Sequence, residues 1–124
     1  MIGIAISNTS DVPIYQQIYD QIAAGIIRGE IRGDEALPSI RTLSSELGVS
    51  VITVKRTFEE LERSGYIVSV PGKGCYVLPL THSELLDMRN EMAANYLRKN
   101  MGLYKSLGIT KEEFLKKYEE YLKE

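Results

Sequence analysis

The chain has very few of the residues that metal and redox chemistry need. Its 124 residues include one cysteine, one histidine and no tryptophan. One cysteine cannot form an internal disulfide, and Cys75 together with His82 cannot supply a zinc cluster. The single thiol fits the reducing conditions of a cytoplasm, and we expect Cys75 to be a small buried hydrophobic residue in a strand. No metal or other cofactor is expected.

Long apolar runs and catalytic motifs are also missing. Hydrophobic residues make up 44% of the chain, but no run of about 18 of them exists for a membrane span. The N-terminal residues 1–11 lack the basic start of a signal peptide. The Pro-Gly-Lys-Gly segment at residues 71–74 lacks the spacing of a nucleotide-binding loop, and no paired-carboxylate motif is present. We therefore expect a cytoplasmic protein that neither binds membranes nor acts as an enzyme.

Residues 37–78 contain local signals for two short helices and a β-hairpin in close succession. Each helix has a serine to cap its start and a glycine to end it. These residues are, in chain order, Ser39, Gly48, Ser50 and Gly65. Runs rich in Val, Ile and Tyr then predict strands at residues 66–70 and 75–78 around the turn at 71–74. This order is that of the winged helix-turn-helix, whose second helix enters the DNA major groove.

Helical spacing divides these residues between a core and an outer face. The apolar residues assigned to packing are Leu43, Leu47, Val54, Phe58 and Leu61. At about 100° per residue, Ile52 and Arg56 point away from that core, and Lys55 lies at the side. Packing explains Ile52 poorly. A thymine methyl group is one apolar partner for it, although single exposed isoleucines are common.

The segments on either side predict a supporting helix and a separate tail. Four isoleucines between Ile14 and Ile26 recur every fourth residue and predict a buried helical stripe, while residues 2–6 predict a short strand. Beyond residue 79, the pattern predicts a long helix from Thr81 to about Leu107 and a last helix capped by Thr110. The fold class expected is α+β, mostly α: a winged helix-turn-helix at 1–79, then a two-helix dimerisation hairpin at 80–124.

The tail cannot bury its own apolar stripes, because a helical hairpin of that size has too little interior. Its stripes could fold back onto the winged unit, line a ligand cavity, or pair with a second copy. We favour a homodimer, since a groove-reading module gains specificity from two half-sites. The residues assigned to dimerisation are Leu85, Met88, Met92, Tyr96, Leu103, Phe114, Tyr118 and Leu122.

Ordered Gly, Pro, Ser and Arg positions carry a family resemblance in addition to the apolar pattern. The run LPSIRTLSSELGVSVITVKR, followed by LERSGYI and PGKGCYV, resembles the DNA-binding domain of the GntR family of bacterial transcription regulators. The preceding PIYQQIYDQIAAGIIRGEIRGDEALPSIR is similar to that domain's first helix and connecting loop, so the resemblance covers about residues 11–79. The short tail is similar to the YtrA-like subfamily. The resemblance implies a homodimer that binds double-stranded operator DNA near its own operon, most often as a repressor.

The resemblance also implies which residues contact DNA. Arg41 matches an arginine that reaches DNA from the first motif helix, Ser50 and Thr53 match phosphate-binding hydroxyls, and Lys55 matches a basic position near bases or backbone. The glycine-flanked Lys73 matches a wing tip that enters the minor groove. Many relatives carry arginine where this chain has Val51, so guanine readout by that residue is not carried over. With the outward face added, the predicted set is Ser39, Arg41, Ser50, Val51, Ile52, Thr53, Lys55, Arg56, Gly72, Lys73 and Gly74.

The charge balance argues weakly against DNA. Fifteen Lys and Arg stand against 17 Asp and Glu, which gives a formal net charge of −2. The motif nevertheless gathers its basic residues on one side, so we expect weak non-specific affinity and retained specific binding. The alternative function is a winged-helix protein-interaction adaptor that does not bind DNA. The residues identify no small-molecule effector.

Overall fold

The computed structural model describes residues 3–123. Within them the chain forms five helices and one two-stranded sheet, so the fold is α+β and mostly α, as predicted. The elements are α1 (Ile14–Ile27), α2 (Ile40–Leu47), α3 (Val51–Arg63), β1 (Ile67–Val70), β2 (Gly74–Val77), α4 (His82–Ser106) and α5 (Lys111–Leu122). The chain divides into two compact units, one ending at Leu86 and the other beginning at Asp87.

The capping residues set the turn between α2 and α3. Ser39 Oγ accepts the Thr42 N–H at 3.1 Å at the start of α2, and Ser50 Oγ accepts the Thr53 N–H at 3.1 Å at the start of α3. Gly48 ends α2 with a φ of 66°, a left-handed conformation that glycine adopts without a steric penalty. Both predicted caps are therefore confirmed, and they leave α2 and α3 joined by only a few residues.

The core of the first unit lies where α1 packs on α3. The buried apolar residues of these helices and of α2 are Ile18, Ile22, Ala23, Ile26, Leu43, Val54, Phe58 and Leu61. Leu47 and Ile14 were also predicted to face this core, but both are only half-buried and lie at the margin of the core. Thr57 is fully buried, and its hydroxyl donates to the Tyr15 carbonyl at 3.0 Å. This hydrogen bond fixes α3 against the start of α1.

The hairpin has a partner that the sequence did not predict. β1 and β2 are antiparallel, with Ile67 opposite Val77. Along β2, Ala36 of the loop before α2 forms a bridge with Tyr76, and the Leu37 N–H donates to the Cys75 carbonyl at 2.9 Å. The loop therefore anchors the hairpin to the helical part. The observed strands begin one residue from their predicted positions, at Ile67 and at Gly74.

Two expectations are wrong. The described part of the predicted N-terminal strand, residues 3–6, is not a strand, and Ile2 lies outside the described residues. Its backbone pairs instead with a side chain, because the Gln21 amide both accepts from the Ala5 N–H at 2.9 Å and donates to the Ala5 carbonyl at 2.7 Å. Cys75 is half-buried rather than buried. It lies opposite Ser69 near the tip of the hairpin, where a two-stranded sheet extends away from the core.

Side-chain caps begin both tail helices. The Thr81 N–H donates to Glu84 Oε1 at 3.1 Å, and Thr81 Oγ1 accepts the Glu84 N–H at 3.1 Å. The Glu84 carboxylate accepts hydrogen bonds from the Thr81 backbone N–H and from the Thr81 side chain, and these lower the pKa of the carboxyl because they favour its charged form. Thr110 caps α5 by accepting the Glu113 N–H at 3.2 Å, as predicted.

Apolar side chains of the tail helices remain largely uncovered. In the second unit, the Tyr104 and Phe114 rings lie 5.5 Å apart between centroids. Among the described residues of α4 and α5, however, none is buried. Leu103 is 57% exposed and Leu122 is 67% exposed. An amphipathic helix pair with this much exposed leucine gains little from burial within one chain.

Candidate nucleic-acid interface

The first turn of α3 presents apolar side chains to solvent. Val51 is 48% exposed and Ile52 is 78% exposed, whereas Val54 is fully buried. Ser50 and Thr53 lie beside them with their hydroxyl oxygens 2.7 Å apart. The same turn carries the free N–H groups and the positive end of the helix dipole, which stabilise a nearby anion. This end of α3 can thus bind an anion at the helix N-terminus and an apolar group beside it.

The first turn of α2 adds a cation. Arg41 is exposed, whereas Leu43 of the same helix is buried. Ser39 also lies at this turn, where its hydroxyl donates to Thr42 Oγ1 at 2.9 Å. Within residues 3–123 the ion pairs are Arg28–Glu30 and Arg63–Glu60. Arg41 is therefore a cation that no carboxylate of the described residues neutralises.

The outward face of α3 carries a second cation in a defined position. The Arg56 guanidinium carbon lies 3.7 Å from the centroid of the Tyr15 ring, which is a cation–π distance. Lys55, at the side of the helix, is exposed. The sequence placed Arg56 on this face, but it did not predict the contact with Tyr15. The missed signal was an aromatic residue on a helix that packs against α3.

The wing is the turn between β1 and β2. Gly72 and Gly74 have φ angles of 73° and 115°, and Lys73 between them is exposed. The Lys73 N–H donates to the Val70 carbonyl at 2.9 Å, which closes the turn. All three predicted wing residues therefore lie at the exposed tip of the hairpin.

Glu62 connects the wing to α3. Its Oε1 accepts the Ser69 N–H at 2.7 Å, so a residue from the last turn of α3 is bonded to β1. This contact orients the hairpin relative to α3. It had no local signal in the sequence, because Glu62 reads as one of several exposed acidic residues on a helix.

Other kinds of site find little support in the described part of the chain. Residues 3–123 contain no group of three or more His, Cys, Asp or Glu side chains suited to a metal ion. No helix among them has the length and apolar character to cross a membrane. A cleft of about 490 Å³ beside the start of α3 is lined by Ile4, Ile6 and Leu47 together with Ser50 and Thr53, so it adjoins the surface already described and is not a separate site.

The residues assigned to dimerisation divide into two groups by exposure. Five of them are half-buried: Leu85, Met88, Met92, Tyr96 and Phe114. Three are exposed: Leu103, Tyr118 and Leu122. All eight lie on α4 or α5, the helices that carry the uncovered apolar stripes.

A capped helix pair, an exposed second helix and a glycine-tipped basic hairpin define a winged helix-turn-helix protein of the DNA-binding class. The sequence profile described as "Bacterial regulatory proteins, gntR family" matches residues 14–77. The chain therefore belongs to the GntR family and is a DNA-binding transcriptional regulator.

Curated relatives agree with that membership over most of the chain. It is 34% identical over 107 residues to the uncharacterized HTH-type transcriptional regulator YhcF of Bacillus subtilis, and the match covers 86% of this chain and 87% of YhcF. It is 30% identical over 95 residues to the HTH-type transcriptional repressor YtrA of the same organism, and this match covers 77% of this chain and 73% of YtrA. The regulator YdeL is 41% identical over 71 residues, but those residues are only 15% of YdeL.

Solved structures give the same result. YtrA from Sulfolobus acidocaldarius, a GntR-family transcription factor, is 32% identical with a TM-score of 0.61, and the match covers 97% of each chain. The DNA-binding domain of AraR in complex with operator ORE1 is 27% identical with a TM-score of 0.52 and covers 62% of this chain and 94% of that one. The protein is accordingly a YtrA-like member of its family.

Proposed function

We propose that the chain is a homodimeric repressor that binds an operator near its own operon, in the cytoplasm. The observation that carries this proposal is the exposed first turn of α3, where Val51 and Ile52 lie beside the hydroxyls of Ser50 and Thr53 at the helix N-terminus. The Bacillus subtilis relative YtrA is a repressor, and the AraR domain with a similar fold was solved on its operator. We therefore assign the same use, binding of operator DNA, to the corresponding surface of this chain.

The proposed contacts divide into positioning and readout. Ser39, Ser50 and Thr53, with the N–H groups at the helix starts, hold backbone phosphates, and Arg41, Lys55 and Arg56 add charge. Val51 and Ile52 pack on thymine methyl groups in the major groove. The wing residues Gly72, Lys73 and Gly74 enter the adjacent minor groove, where lysine meets a strong negative potential.

Two copies bind two half-sites in this proposal. Specific recognition by one short helix and one wing is weak, and doubling the contacts raises both affinity and discrimination. The exposed leucines of α4 and α5 supply the pairing surface. Repression then follows from occupancy, because a dimer bound across a promoter blocks the polymerase.

The salt dependence of DNA binding tests the function. Affinity for the promoter fragment upstream of the gene, and for a scrambled fragment, is measured at about 50 mM and about 200 mM salt. We expect specific binding that weakens on the order of a thousandfold between the two concentrations, as phosphate contacts from two protomers release counterions. Equal affinity for both fragments, or binding that salt does not affect, would favour the protein-interaction adaptor instead.

A further inference from the structure

Tyr15 of α1 contacts two consecutive residues of α3 with two different groups. Its ring lies under the Arg56 guanidinium, 3.7 Å from ring centroid to guanidinium carbon. Its carbonyl accepts the hydroxyl of Thr57 at 3.0 Å. The hydrogen bond to buried Thr57 fixes the tyrosine backbone against α3, and the ring then lies where it can hold the arginine.

We propose that Tyr15 is a positioning residue for DNA binding, which holds the Arg56 guanidinium ready to contact a phosphate of the DNA backbone. This inference rests on the proposed function. It adds to that function a residue of α1, a helix outside the helix-turn-helix and the wing.

The geometry of stacking leaves the hydrogen-bond donors of Arg56 available. A guanidinium stacks through its flat face, whereas its N–H groups point outward in the plane and fit a phosphate. An arginine held on a ring has fewer conformations to lose when it binds than one that is free in water. Stacking on Tyr15 therefore strengthens a phosphate contact without occupying the groups that make it.

The position of Arg56 on α3 suits a phosphate better than a base. It follows Ile52 by one helical turn on the same face, and the first turn of a recognition helix is the part that approaches base edges. The nearby Glu60 does not neutralise it, because Glu60 Oε1 pairs with Arg63 at 2.6 Å. Within residues 3–123, Arg56 has no ion pair or hydrogen bond that would compete with a phosphate.

The test measures operator affinity across a range of salt concentrations for single and double variants of the full chain. Arg56→Gln should reduce the slope of log K against log[salt] by about one per protomer, because one phosphate contact is lost. Tyr15→Leu should weaken binding by about three- to tenfold. The same substitution should have almost no effect in the Arg56→Gln background, whereas Tyr15→Phe, which keeps the ring, should bind like the unsubstituted protein.

Tyr19, one helical turn further along α1, provides the matched control. Its ring packs edge-on against Tyr66, with centroids 6.1 Å apart, and its hydroxyl donates to Ser64 Oγ at 2.9 Å. Tyr19→Leu should lower the melting temperature but leave the operator affinity of the folded protein unchanged. A purely structural role for Tyr15 would give the same pattern, so the two variants separate positioning from stability.

Arg56→Lys tests the stacking without touching the packing of α1. Lysine keeps the charge but lacks the planar group, so we expect weaker operator binding with a similar salt slope. Arg56→Lys that binds as tightly as the unsubstituted protein would overturn the inference, and so would independent, additive effects of Tyr15→Leu and Arg56→Gln. If the unsubstituted protein shows no salt-dependent operator binding, the proposed function fails and this inference fails with it.

Discussion

At the scale of single residues, the proposed interface assigns to the first turns of α2 and α3 both groups that attract DNA and groups that distinguish its bases. The hydroxyls of Ser39 and Ser50 already accept helix N–H groups, so they fix the backbone geometry around themselves. Arg41 contributes charge, whereas Val51 and Ile52 contribute apolar surface that cannot hydrogen-bond to a base edge. Affinity and sequence preference should therefore depend on different residues.

Arg41→Ala should weaken operator binding by about 1–3 kcal/mol with little loss of fold stability. The side chain is exposed at the first turn of α2 and makes no ion pair within residues 3–123, so its removal leaves the core intact. Quantitative binding and thermal unfolding of the same preparation check both parts. An Arg41→Ala protein that binds the operator normally would remove Arg41 from the interface.

Replacing thymine by uracil at the positions that Val51 and Ile52 face should lower affinity by about 0.5–1.5 kcal/mol per site, as expected for one methyl group. The replacement removes only the methyl group and leaves the hydrogen-bond pattern intact. Titration of operators substituted at one thymine at a time measures the effect.

Val51→Arg provides the complementary protein variant. It should weaken binding to the native operator and raise the preference for guanine at that step, because arginine can donate two hydrogen bonds to guanine. If every thymine-to-uracil change in the half-site is silent, then Val51 and Ile52 are ordinary exposed apolar residues.

At the scale of elements, local chemistry predicted more than long-range pairing. The caps at Ser39, Ser50 and Thr110 followed from the sequence because each serves an N–H group three residues away. The stacking of Arg56 on Tyr15 did not follow, because the two residues are distant in sequence and meet only after α1 packs on α3. The same limit applies to the pairing of Ala36 with Tyr76.

The N-terminal segment shows why alternation alone was misleading. Its apolar residues alternate as in a strand, but the described residues before α1 have helix side chains as partners. Gln21 supplies both a donor and an acceptor to Ala5, and Gln17 does the same for Ser7. A side-chain amide can thus replace one step of a strand ladder, and no pattern of apolar residues reveals it.

Gly48→Ala should destabilise the first unit by about 1–2 kcal/mol, the cost of a left-handed conformation for an L-residue with a side chain. The cause would be backbone strain alone, since a Cβ at Gly48 meets no atom within 4 Å. Gly48→Asn is the control at the same site and should cost less, because asparagine enters this conformation more readily. Urea unfolding of the three proteins checks the order; equal stability of Gly48→Ala and the parent would contradict it.

At the scale of the whole molecule, the two units have different degrees of burial. The first unit has a continuous core, whereas α4 and α5 retain exposed leucines and tyrosines such as Leu103, Tyr118 and Leu122. An apolar surface of this kind is typical of an association site. The proposed homodimer would cover it and place two copies of α3 on one DNA molecule.

Leu103→Glu combined with Leu122→Glu should convert a dimer into a monomer while the helix content stays the same. Both side chains are mostly exposed in one chain, so a charge at these positions costs little until the surfaces pair. Sedimentation velocity and circular dichroism measure the two properties. Asn90→Glu adds one negative charge, as each of the two leucine substitutions does, to an exposed position of α4 outside the apolar stripe, and it should stay dimeric. A double Glu variant that remains dimeric would place the interface elsewhere.

Hydroxyl-radical footprinting across the promoter upstream of the gene tests the central claim most directly, since it reports binding, sequence selection and symmetry together. We predict two protected segments related by two-fold symmetry, with centres about 10 bp or a multiple of that distance apart, as for a dimer that places one α3 in each half-site. Protection that covers the fragment without sequence preference, or no protection at low salt, would contradict the account.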